Sequence, residues 1–261
     1  MTDGTDVALI VAKGTDMALC EIHFPAPSLG KQCCMNVILP DGKGPFGVLY
    51  LLHGLSDDYS TWVRRSNIER HAAQSNLIVV MPDGDRSWYC NWPGPVGQAY
   101  EDHIVKDVVG FIDRTFHTIA HGRSRAIAGL SMGGYGAIML AMRHSGMFSV
   151  AASHSGAVGF AHSPALSRQD VHRLAIPLPP NEYDCYRLAT KCAKAGVKLN
   201  LRLDCGTEDF LIEENRLFVA HLRRLGLKHE YQEYGGAHNW DYWDLHICDT
   251  LSFVTERLKK K

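Results

Sequence analysis

Two kinds of hydrophobic pattern divide the chain. Near its start, short apolar runs at Val7 to Val11, Met17 to Phe24 and Cys33 to Leu39 are separated by Gly14-Thr15 and by the Pro25 to Gly30 stretch. They read as strands of an antiparallel edge. Further on, Gly47-Val-Leu-Tyr-Leu-Leu-His53 and Leu77-Ile-Val-Val-Met-Pro82 are almost continuously apolar. A strand without polar alternation is buried on both faces, as in a parallel sheet. Between these two runs, Ser66-Asn-Ile-Glu69 has the spacing of a capping box and predicts a helix start.

From Ala99 to Phe116 the period changes. Ile104, Val108, Phe111 and Ile112 fall at i, i+4, i+7 and i+8, the stripe of one long helix. Arg125 to Gly129 predicts a strand, Gly133 to Ser145 a helix and Phe148 to Ser153 a strand. Ala157 to Pro180, rich in Pro, Ser and His, breaks the rhythm and reads as a loop or small cap within one domain spanning residues 1–261. Asn181 then caps a helix to about Ala195. Val197 to Leu203 predicts a strand, Ile212 to Leu225 a helix, His229 to Tyr234 a strand and Trp240 to Leu258 a last helix. Strands alternating with helices imply a doubly wound, mostly parallel α/β sheet preceded by antiparallel strands.

Composition narrows the partners. With 46% hydrophobic and 21% charged residues, the chain carries enough apolar material for a sizeable core. A formal net charge of -1 and the absence of any basic run before Lys259 argue against a nucleic-acid partner. The terminal lysines read as a solvated helix end. No stretch approaches the ~18 apolar residues of a membrane span. The first 13 residues lack a basic-then-apolar signal pattern, so the cytoplasm is the expected compartment. The eight cysteines form no CxxC pair and do not interleave with histidines at zinc-ligand spacing, so they read as reduced and mostly buried, with no metal site. Asp57 and Asp58 read as a solvated loop or helix cap. The pattern leaves a homo-oligomer open.

The chemistry concentrates in three places. Gly129-Leu-Ser131-Met-Gly133 follows an apolar strand and opens a helix. That is the setting of the Gly-x-Ser-x-Gly nucleophile elbow, where a serine at a sharp turn leaves no room for side chains two positions away. A nucleophilic serine needs a base and an acid to orient it, in the chain order serine, acid, histidine for this motif. His238, in Gly235-Gly-Ala-His-Asn-Trp240, lies between the last strand and the last helix and suits the base. For the acid, Asp204, Glu208 and Asp209 compete. Asp204 belongs to the strand, so Asp209 is the first choice and Glu208 the rival. The loop at His53-Gly-Leu55 would supply one oxyanion amide, from Leu55, and Met132 the other. Trp88, Tyr89 and Trp92 either line an acyl or alcohol pocket or pack the core. Trp240 and Trp243 read as helix packing.

Taken together, His53-Gly-Leu-Ser-Asp-Asp58 with Trp62, Met81-Pro-Asp-Gly84, Ser87-Trp-Tyr89, Gly129-Leu-Ser-Met-Gly-Gly-Tyr-Gly136, Gly206-Thr-Glu-Asp209 and His238-Asn-Trp-Asp-Tyr-Trp243 resemble the esterase D family of α/β-hydrolases. That family includes S-formylglutathione hydrolases, tributyrin esterases, feruloyl esterases and the antigen 85 mycolyltransferases. The likeness runs from about Val48 to the C-terminus and is nearest to the bacterial tributyrin-esterase branch. It implies the α/β-hydrolase fold, hydrolysis of short-chain acyl esters as small-molecule substrates, no cofactor, and the roles given above for Ser131, Asp209, His238, Leu55 and Met132. S-formylglutathione hydrolases commonly carry His after the Gly-Gly, where this chain has Tyr135, which weakens a glutathione-thioester assignment. An acyltransferase using the same acyl-enzyme is the second expectation; a noncatalytic binding protein on this fold is the third and would require a broken triad.

Overall fold

The computed structural model describes residues 17–93, 98–162 and 180–259. The strand expected at Val7 to Val11, most of the cap expected at 157–180, and Lys260 and Lys261 lie outside them. Eight strands form one sheet, in the order β1-β2-β4-β3-β5-β6-β7-β8. β1 (Met17–Ala26) and β2 (Lys31–Pro40) pair antiparallel, and β2 runs antiparallel to β4 (Leu77–Pro82). The remaining neighbours, β3 (Gly47–Leu52), β5 (Arg125–Leu130), β6 (Val150–His154), β7 (Asn200–Gly206) and β8 (His229–Tyr234), pair parallel from β4 to β8. The mostly parallel α/β-hydrolase sheet with an antiparallel start is therefore as expected.

The continuous apolar runs of β3 and β4 have the predicted cause. Val48, Tyr50 and Leu52 enter one core with α3 (Tyr100–Asp102), α4 (Val109–Thr115), α5 (Met132–Arg143), α7 (Cys185–Lys194) and α8 (Ile212–Arg224). Leu49 and Leu51 enter the opposite core with α1 (Thr61–Arg65), α2 (Ile68–Ala72) and α9 (Trp240–Lys259). Alternate side chains of one strand thus feed two cores. Among the described residues no helix is long and apolar enough to cross a membrane.

Local expectations shifted in three places. A π-helical segment, His103–Val108, joins α3 to α4, so Val105 and Val109 are buried beside Ile104, Val108 and Ile112 of the predicted stripe, and its fourth member, Phe111, is half-buried. Ser66 does not cap α2, because its hydroxyl donates to the Trp62 carbonyl and the cap position falls on Asn67, whose side chain reaches Asp244. The helix expected from Asn181 is two, α6 (Pro180–Tyr183) and α7, and its true cap is Asp184, whose carboxylate accepts from the Tyr186 and Arg187 amides.

The sheet order also locates the site. The chain leaves β3 toward β4 on one side and returns to β5 on the other. At such a reversal the loops beyond the carboxyl ends of adjacent strands part and leave a crevice. His53 to Leu55 follows β3 and Ser131 follows β5, so both border it.

Candidate active site

β5 ends at Leu130 and α5 begins at Met132, so the chain turns within Ser131. Ser131 sits at φ 52°, ψ −115°, a conformation that side-chain-bearing residues rarely adopt. Its backbone polar groups hold it there. The Ser131 amide donates to the His154 carbonyl at 2.9 Å, and its carbonyl accepts from the Tyr135 and Ala157 amides at 3.0 and 3.1 Å. The flanking glycines are required by space: a Cβ on Gly129 would come within 2.5 Å of the Gly133 carbonyl, and one on Gly133 within 2.5 Å of the Leu52 carbonyl oxygen.

The β3 loop passes beside this turn, since a Cβ on Gly54 would lie 3.8 Å from Ser131 Cβ. Asp57 closes the loop: the Gly54 amide donates to its carboxylate at 3.3 Å and the Asp57 amide returns to the Gly54 carbonyl at 3.2 Å. Leu55 lies inside this turn. Asp58 accepts from the Ser60 amide and hydroxyl and from Thr61 ahead of α1, so both aspartates are turn ties. His53 is enclosed and pins β3 to β4. Its Nε2 accepts from the Gly84 amide at 2.8 Å, which assigns the hydrogen to Nδ1, and Nδ1 donates to the Gly54 carbonyl at 2.8 Å. The Met132 amide opens α5, where the first-turn N–H groups have no acceptor within the helix.

The three carboxylates after β7 go to three different partners. Asp204 points into the core, where His154 Nδ1 and the Tyr242 hydroxyl donate to Oδ1 at 2.9 and 3.0 Å. Glu208 takes the Gly236 amide and the Thr207 hydroxyl, and its own amide donates to the Gly236 carbonyl. It therefore ties the acid loop to the histidine loop. Asp209 reaches His238: Nδ1 lies 2.8 Å from Oδ2 and 3.0 Å from Oδ1. His238 Nε2 lies 3.0 Å from Ser131 Oγ. An ionised carboxylate can only accept, so Nδ1 carries the hydrogen and Nε2 offers its lone pair to the serine.

Burial by itself would raise the Asp209 carboxyl, but hydrogen bonds from His238, the Leu211 amide and the Ser155 hydroxyl outweigh it and hold the group below the ordinary carboxylate range. Asp209 is thus an anion beside His238. Ser155, at φ 47° and fully buried, also accepts from Trp243 Nε1 at 3.3 Å. Trp243 in turn meets the His238 ring edge-on at 4.9 Å between centroids, while Phe210, 76% exposed, leans on the ring at 4.5 Å. Trp240 packs edge-on between Trp62 and Trp243, as helix packing predicts. Ser155 and Phe210 were invisible as site residues: no motif marks the first, and the second carries one signal, its place directly after Asp209.

The tryptophan segment differs from a pocket wall. Trp88 and Tyr89 have φ of 57° and 55°, and this left-handed turn sends both rings inward. Tyr89 has no accessible surface, and its hydroxyl donates to the His53 carbonyl at 3.0 Å. Trp88 stacks on Phe160 at 3.6 Å, and Trp92 Nε1 donates to the Ser87 carbonyl at 2.6 Å. Of the two openings left by sequence, core packing describes these three residues. Tyr135 belongs to the same cluster and donates to the Tyr183 carbonyl at 2.8 Å.

Comparison with known proteins identifies an esterase family. A family model described as putative esterase matches residues 26–254. An acetyl esterase of Caldicellulosiruptor saccharolyticus is 26% identical, over 92% of this chain and 99% of its own. An esterase of Mycobacterium tuberculosis is 29% identical over 91% of this chain, which spans 59% of that longer protein. The crystal structure of an S-formylglutathione hydrolase from Staphylococcus aureus superposes with a TM-score of 0.82 at 29% identity, covering 92% of this chain and 100% of that one.

Proposed function

The chain belongs to the esterase family of α/β-hydrolases and is a carboxylic ester hydrolase, and from that premise we propose that Ser131, His238 and Asp209 hydrolyse short-chain acyl esters through an acyl-enzyme. One observation carries the assignment: His238 bridges Ser131 Oγ at 3.0 Å and Asp209 at 2.8 Å with its two ring nitrogens.

In this mechanism Ser131 Oγ attacks the ester carbonyl as His238 Nε2 takes its proton. Asp209 holds the ring tautomer and stabilises the imidazolium. The amides of Leu55 and Met132 receive the oxyanion, each contributing about 3 kcal/mol to the transition state. The alcohol leaves with the proton from His238. Water then attacks the acyl-enzyme by the same route and frees the acid. Phe210 forms the rim beside the base.

A thioester substrate is the second reading, favoured by the Staphylococcus aureus neighbour. Against it stands Tyr135, enclosed and committed to the Tyr183 carbonyl.

The test is a p-nitrophenyl ester series from acetate to dodecanoate, with S-formylglutathione alongside, for wild type and Ser131→Ala. Turnover should peak at short acyl chains and vanish in the variant. Retained activity in Ser131→Ala would overturn the nucleophile, and preference for the thioester would replace the substrate class. Product ratios with added alcohol separate hydrolysis from acyl transfer.

A further inference from the structure

α2 packs along α9 on the face of the sheet opposite to α5. Asp244 and Cys248 lie one turn apart on α9 and flank the ring of His71. His71 Nε2 is 3.2 Å from Asp244 Oδ1, and His71 Nδ1 is 3.1 Å from Cys248 Sγ. Burial by itself would raise the Asp244 carboxyl, but the Asn67 amide and side chain and the His71 ring outweigh it and keep the group ionised. Because a carboxylate only accepts, the hydrogen sits on Nε2 and the Nδ1 lone pair faces the thiol. The residue types and their polarity repeat those of a thiol, base and orienting acid. Cys248 and His71 line a groove of about 470 Å³ that also presents Arg70, Gln74, Ser252 and Glu256, one cation and one anion for a zwitterionic ligand.

We propose that Cys248 is a base-assisted thiol site that takes up small polar disulfides as mixed disulfides, with His71 as base and Asp244 as its positioning residue. In the exchange, Nδ1 accepts the Cys248 proton as Sγ attacks one sulfur of the incoming disulfide. The old S–S bond breaks, a new one forms to Cys248, and the departing thiolate takes the proton back from His71. The incoming disulfide is the oxidant. Arg70 offers a cation to its carboxylates. Burial, then the charges of Asp249 and Asp244, raise the Cys248 thiol, so the resting group is protonated and its reactivity depends on the base.

A second thiol supplies the control. Cys34 Sγ lies 3.2 Å from His23 Nδ1, but on an exposed strand surface where His23 and its partner Glu21 are 68% and 56% exposed. The experiment exposes folded protein to glutathione disulfide and follows each cysteine by peptide mass mapping. Cys248 should form the mixed disulfide about tenfold faster than Cys34, and His71→Gln should abolish that advantage without altering Cys34. Cys248 reacting no faster than Cys34, or an unchanged rate in His71→Gln, would each overturn the proposal. Labelling of the enclosed Cys90 and Cys185 in His71→Gln would reveal an unfolded variant, and the wild-type ratio of the Cys248 and Cys34 rates then decides alone.

Discussion

Two aspartate–histidine–hydroxyl chains occupy this molecule, and their hydrogen bonds match in polarity. Asp209, His238 and Ser131 meet in the loops beyond the sheet, with 2.8 Å from Nδ1 to the carboxylate and 3.0 Å from Nε2 to the hydroxyl. Asp204, His154 and Thr250 meet beneath α9, with 2.9 and 3.0 Å for the same pairs. The His154, Asp204 and Thr250 side chains are enclosed, whereas the His238 side chain keeps 16% of its surface. Thr250 also sits inside a regular helix, while Ser131 stands on a strained turn beside first-turn amides. A relay of hydrogen bonds is therefore insufficient for a site. On the proposed mechanism, access, an exposed nucleophile and donors for the developing charge separate chemistry from cohesion. The inner chain serves the outer one through its backbone, since the His154 carbonyl holds the Ser131 amide.

That contrast can be broken, beginning with the largest effect. Ser131→Ala should lower kcat by roughly 10⁴- to 10⁶-fold and leave the thermal midpoint within about 2 °C. Asp209→Asn should cost about 10³- to 10⁴-fold in kcat, read with p-nitrophenyl acetate. The same variant carries a pH signature. The folded Asp209 carboxyl lies below its ordinary range, so its stabilisation is complete above that range and is lost as pH falls through the folded value. The stability gap between wild type and Asp209→Asn should hold from ~pH 8 to ~pH 5 and close below ~pH 4 in denaturant titrations. On the inner chain, His154→Leu removes the imidazole donor from buried Asp204, leaving it the Tyr242 hydroxyl and Arg202 at 3.8 Å, and should destabilise by about 3 kcal/mol, lowering the midpoint by roughly 6–10 °C. Thr250→Val is the mildest change, about 1–2 kcal/mol with kcat unaltered. A Thr250→Val enzyme with full stability and impaired turnover would erase the distinction between the two chains.

The outer chain was readable because it leaves marks in short segments. Ser131 sits between two glycines that exclude side chains, and just before His238 stands Gly236, at φ 138° and with the Tyr242 ring 2.8 Å from where a Cβ would be, so local sterics write themselves into the sequence. β3 and β4 were equally plain, because burial on both faces removes polar residues. The inner chain left no such mark: His154 and Thr250 are 96 positions apart and joined by tertiary packing alone. The same reason hid Ser155, whose partner Trp243 is 88 positions away. β7 was expected three residues early, because Val197 and Leu199 pack on the core from the loop while pairing with β6 sets the strand at Asn200. The sequence left the aromatic cluster open between pocket and core, because the left-handed backbone that turns Trp88 and Tyr89 inward is not revealed by composition.

The glycines around the elbow extend beyond the motif. A methyl on Gly134 would strike Ser153 Oγ at 2.6 Å, and one on Gly136 the Tyr89 ring at 2.5 Å, in addition to the blocked positions at Gly129 and Gly133. In a laboratory-evolution experiment this block would behave as fixed ground: libraries randomised there should return almost entirely the starting residues. New substrate preferences would have to emerge from the rim, where Phe210 projects into solvent.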